Sequence, residues 1–136
     1  MDDLRAAINN PLLSGEERLT ALGKWYSQNA TGNAATNKAA GEINNHIHTI
    51  YSFSPYTPAM AALRAREAGL VAAGSVDHDS EAAASEMIAA CAILGLGGCC
   101  GFELRVDFTH GPNGAFFTDK KLNNPDSSGF AYITIQ

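Results

Sequence analysis

The chain has 136 residues, enough for one compact domain with a real core but short of the roughly 200 that a complete α/β barrel needs. Nine Lys and Arg against fourteen Asp and Glu give a formal net charge of −5, and without clustered cations this argues against a surface that neutralises a nucleic-acid backbone. No stretch approaches the roughly 20 consecutive apolar residues of a membrane helix, and the acidic start "MDDLRAAINN" is unlike a basic secretory leader, so a cytoplasmic protein with no membrane partner is expected.

Residues 2–9 place Leu4 and Ile8 at helical spacing and stop before Pro11, which predicts a short helix. In "SGEERLTALGKWYSQNA" Ser14 is the expected N-cap and Glu17, three positions on, completes a capping box; Leu19, Leu22 and Trp25 or Tyr26 then share one face. "NATGNAATNKAAGE" is small, polar and without period, and reads as a loop or tether. This divides the chain into a helical N-terminal extension with its tether, 1–41, and a second part, 42–136.

Alternation begins at Glu42, with Ile43, Asn45 and Ile47 pointing one way and Asn44, His46 and His48 the other, so a strand is predicted. Thr57 and Pro58 make an N-cap and first-position pair, Met60 and Leu63 continue a helical face, and Gly69 ends it. "LVAAGSV" is a second strand. A helix follows with Ala84, Met87, Ile88, Cys91 and Leu94 on one face and Gly95 as its stop, and "GGCCGFELRV" is a third strand. Residues 107–129 are rich in turn formers, and "FAYITIQ" alternates as a fourth strand. The repeated strand–helix order predicts an α/β fold with parallel strands and right-handed crossover helices, its functional residues at the strand C-termini. Of three cysteines, Cys99 and Cys100 are neighbours, which disfavours a disulfide framework and suits a reducing compartment, while Cys91 falls on an apolar helical stripe and reads as core.

Chemistry concentrates at three strand ends. His46 and His48 in "NNHIHTIYSFSPY" lie on one face of a strand about 6.5–7 Å apart at the backbone, close enough to converge on one cation, or else to be satisfied polar residues. "SVDHDS" adds His78 between Asp77 and Asp79, carboxylates that can orient an imidazole or share a metal; Asp79 or Ser80 is also a candidate helix cap. Glu103 in "GFELRV" is an acid in an apolar strand, which calls for Arg105 as a partner, for a metal, or for an exposed edge position. His110 sits in the turn "THGPNG", and Arg64, Arg66, Lys120 and Lys121 are phosphate-contact candidates set against the simpler reading of solvated charge.

The ordered set "NNHIHTIYS", "VDHDS" and "GFELRV" resembles the polymerase and histidinol phosphatase (PHP) superfamily, from Ile43 to about Val106, and "LNNPDSSGFAY" extends the likeness to one bacterial subgroup. The resemblance implies a partial (β/α) barrel of PHP type, incomplete or completed by oligomerisation, and a metal-dependent phosphoesterase that hydrolyses a phosphate ester of a small molecule with metal-activated water. Carried over by motif, His46, His48, His78 and Glu103 are metal ligands, with Glu103 bridging two metals and Asp77 beside His78 as a further catalytic residue; the cofactors implied are divalent Mn, Zn or Fe. Phe53 and Ser54 stand where many members carry another ligand, and the later ligands would fall beyond Gln136, so the likeness is to the N-terminal portion of such a barrel. The alternative is a non-catalytic half barrel that assembles with itself through exposed strand edges. Either reading predicts a homodimer or element-swapped oligomer. A polymerase-associated nuclease is disfavoured by the acidic charge.

Overall fold

The computed structural model describes residues 2–33 and 41–136, and within them the elements run α1 (Asp2–Ile8), α2 (Gly15–Asn33), β1 (Ile43–Ile47), α3 (Pro58–Glu67), β2 (Ala72–His78), α4 (Ala84–Leu94), β3 (Gly97–Asp107), α5 (Gly114–Phe117) and β4 (Phe130–Ile135). The strands form one sheet in the order β1-β2-β3-β4. β1, β2 and β3 are parallel and joined through α3 and α4, as the strand–helix alternation requires, whereas β4 returns antiparallel to β3. The backbone N–H of Phe108 donates to the Gly129 carbonyl at 2.8 Å, so the excursion between these residues closes on itself and leads back down the neighbouring edge. The fold is thus an α/β curled half barrel with a mixed sheet.

The caps read from sequence for α2 and α3 are present. Glu17 accepts from the Ser14 N–H and hydroxyl at 2.8 Å each, and the Glu17 N–H donates to Ser14 Oγ at 3.2 Å. α2 nevertheless continues to Asn33, so the front of the expected tether, 29–33, is helical; residues 34–40 lie outside the described residues. Thr57 caps α3, accepting from the Met60 N–H at 3.2 Å while donating to the Ile8 carbonyl at 2.6 Å, which ties α1 to α3. Its side chain is fully buried, so Thr57→Val should cost about 1–2 kcal/mol in urea unfolding while Thr57→Ser stays near wild type.

Ile8, Ala21 and Leu22 join Leu63, Met87, Cys91 and Leu94 in one buried cluster between the helices and the sheet. Burial pushes the Cys91 thiol up to about 11, leaving it an inert core group. Two local expectations differ from the structure. Ile88, which packs close over Gly98, is 41% exposed rather than buried. Neither Asp79 nor Ser80 caps α4, which begins after Ala83 with no side-chain cap.

The residue after β4 reaches β1. Asn45 Nδ2 of β1 donates to Gln136 Oε1 at 2.8 Å, and Gln136 Nε2 donates back to the Asn45 carbonyl. Gly74 and Gly101 permit this approach, since a Cβ on Gly101 would stand 2.2 Å from the Ile135 carbonyl oxygen and one on Gly74 would stand 3.2 Å from Asn45 Cα.

Candidate metal centre

His46 and His48 owe their placement to a break in β1. Four residues of β1, Asn44 to Ile47, run against three of β2, Ala73 to Ser75. The inserted residue is a bulge, and bulges re-aim side chains. Strict alternation therefore does not run through the strand: Ile47 packs on the core cluster, while Ile43 is 63% exposed. At the bulge the Asn44 side chain accepts from the His46 N–H at 3.0 Å.

The three strand-end motifs converge. The His46 and His48 rings lie 5.2 Å apart and those of His48 and His78 5.0 Å apart, centroid to centroid. Glu103 Oε2 stands 3.9 Å from His46 Nε2 and 3.3 Å from His78 Nε2, so one carboxylate oxygen lies within reach of two imidazoles. Ligand atoms of His46, His48 and Glu103 all fall within 4.8 Å of one another. His78 is outside that tighter group but meets the same carboxylate, opposite which it sits in the β2–β3 register. Among the described residues the Glu103 carboxylate lies against these imidazoles and has no ion pair with Arg105.

The group has the donor chemistry for a divalent transition cation: imidazole nitrogens and one carboxylate. It also has an unanswered polar atom, because Nδ1 of His48 is buried without a hydrogen-bond partner. Burial lowers the pKa of His48 most, helped by the charges of His78 and His46 and opposed by Glu103 and Asp77. Its ring therefore keeps the neutral, ligand-competent form to lower pH than an ordinary histidine.

Asp77 is buried directly behind this cluster. Its Oδ1 accepts from the Thr49 N–H and its Oδ2 from the Thr49 hydroxyl, each at 2.6 Å. These bonds pin the residue after His48 to the residue before His78, which fixes the two rings relative to each other. Asp79 has a left-handed backbone, φ 53°, and its N–H donates to the Glu103 carbonyl at 2.9 Å, so the chain turns away at once after His78.

Several contacts were not read from sequence. The Phe53 ring lies 4.4 Å from that of His48 and 5.2 Å from that of His78, so the residue at the departing motif position covers the histidines as an aromatic face. Tyr132 of β4 sits 5.1 Å from the His78 ring, and the Thr134 hydroxyl donates to Glu103 Oε1 at 3.4 Å. The antiparallel return of β4 delivers both, and no local motif announces it. Thr49 was legible in principle, as a hydroxyl directly after the second histidine.

The remaining candidates take other partners. His110 Nδ1 lies 2.8 Å from Asp107 Oδ2 in an exposed turn. Arg64 pairs with Glu67 at 3.2 Å, Lys120 with Asp119 at 3.7 Å, and Lys121 donates to the Pro125 carbonyl at 3.1 Å. Arg66 is half-buried on α3. Among the described residues no helix is long and apolar enough to cross a membrane.

No protein-family profile matches the chain, and no curated protein matches it. Among solved structures it is similar to a protein from Bifidobacterium adolescentis provisionally assigned as a metal-dependent phosphoesterase, at 33% identity and a TM-score of 0.47. The match covers 50% of this chain and 24% of that one, so the chain spans about a quarter of that protein's length.

Proposed function

We propose that the chain carries the first part of the metal site of a phosphoesterase, with His46, His48, His78 and Glu103 as ligands of divalent Mn, Zn or Fe. The observation that supports this most is Glu103 Oε2 lying 3.9 Å from His46 Nε2 and 3.3 Å from His78 Nε2, so that imidazoles and a carboxylate that would hold a divalent cation are gathered at one place. Bound there, such cations supply positive charge to a phosphate ester and lower the pKa of water at the site. The chain's own residues contribute orientation: Thr49 and Asp77 lock the strand ends that bear His48 and His78, and Thr134 holds the other Glu103 oxygen. Phe53 and Tyr132 place aromatic rings 4.4 Å from His48 and 5.1 Å from His78, contacts that help hold the imidazoles in position. The substrate expected is a small phosphate ester rather than a nucleic acid, in keeping with the net charge of −5.

Elemental analysis of protein purified without chelator tests the reading. More than one bound transition metal per chain or per dimer is expected, together with manganese-dependent hydrolysis of a generic phosphate monoester. Folded protein that takes up no transition metal from solution would overturn it and leave the non-catalytic half barrel.

A further inference from the structure

Glu103 is not the last polar residue on its face of β3. Arg105 follows one pleat later, about 6.5–7 Å along the strand, and the β3–β4 register shows which way it faces. Glu103 pairs with Thr134, whose hydroxyl reaches the Glu103 carboxylate, and Arg105 pairs with Tyr132, whose ring lies against His78. Residues paired across a ladder share a face, so Arg105 stands on the face that carries the histidines. Its side chain is exposed, with the guanidinium carbon 5.6 Å from the Phe130 ring centroid.

The carboxylates on either side of it along the strand are taken. Glu103 is held by His46 and His78, and Asp107 accepts from the Thr109 N–H at 2.8 Å and hydroxyl at 2.7 Å while facing His110. Among the described residues Arg105 has no carboxylate partner. This cation–π contact anchors the guanidinium beside Phe130 and leaves its fork of N–H donors available to two oxygens of one oxyanion.

We propose that Arg105 is the phosphoryl-binding side chain of this site, gripping non-bridging oxygens of the substrate beside the His–Glu cluster. The assignment rests on the phosphoesterase reading and deepens it. It gives that reading an anion contact that the lysines and arginines on the helices and loops do not supply.

Inorganic phosphate is the probe, followed by calorimetry and by 31P line width, on manganese-loaded and on chelator-treated protein. In Arg105→Met the dissociation constant should rise about 10- to 100-fold, the scale of losing hydrogen bonds to a charged group; Arg105→Lys should lose less. Metal content and melting temperature should match wild type in both, and KM for a phosphate monoester should rise by more than kcat falls. Equal phosphate affinity in wild type and Arg105→Met, or no phosphate binding by wild type in either state, overturns the proposal. Should wild type take up no metal and yet lose phosphate binding on Arg105→Met, the phosphoesterase reading falls and the assignment of Arg105 stands.

Discussion

Glu103→Ala should abolish metal retention and hydrolysis together, with kcat/KM down by at least about 100-fold, because even outer partners of metal ligands are worth roughly 10- to 100-fold. The reason is geometric: one oxygen of this residue is shared by His46 and His78, so its loss opens both sides of the cluster at once. His46→Ala, on a side chain that is 41% exposed, should lower metal content less. Asp77→Asn should act differently, since it disturbs the two bonds to Thr49 and thereby the relative setting of His48 and His78. Metal analysis and circular dichroism on the same preparations separate lost ligation from lost fold. Full metal content with undiminished activity in Glu103→Ala would remove this residue from the site.

The largest stability effect is expected at a buried ion pair outside the candidate metal site. Glu86 is 5% exposed and Arg18 3%, and they form a two-pronged ion pair: Arg18 Nε donates to Oε1 at 2.8 Å and Nη2 to Oε2 at 2.5 Å. Glu86 Oε1 also accepts from the Ala59 N–H at 3.1 Å, in the first turn of α3, and Arg18 reaches the carbonyls of Asn10 and Leu13. One contact thus joins α2, α3, α4 and the α1–α2 turn. Glu86→Ala leaves the guanidinium buried without its counter-charge and should cost about 3–5 kcal/mol in urea unfolding. The double variant Arg18→Met/Glu86→Leu should recover most of that loss, since removing both charges also removes the burial penalty. Equal destabilisation in the single and double variants would mean that packing, not charge, is what the pair supplies.

Glu86 also marks a limit of reading this chain as a string. A helical period assigns faces by the number of apolar neighbours and puts an acid outside; nothing near Glu86 shows that Arg18, 68 residues away, will meet it. Features governed by neighbours in sequence were readable: the Ser14–Glu17 box, the Thr57–Pro58 start, the left-handed Gly95 stop and the strands themselves. The candidate ligands were readable for a related reason, because parallel strands joined by helices bring successive strand ends to one rim. The bulge in β1 was not, since its signal is a register between strands. Nor were Tyr132 and Thr134, which reach the histidines only because β4 runs back along β3.

That returning strand carries one more device. The Asn123 side chain donates to the Tyr132 carbonyl and accepts from the Tyr132 N–H, at 2.7 Å each, imitating a neighbouring strand on the side of β4 that faces away from β3. An amide in that position occupies backbone groups that a further strand would need, so the sheet is stoppered there. A strand added at this edge would first have to displace the Asn123 amide from Tyr132.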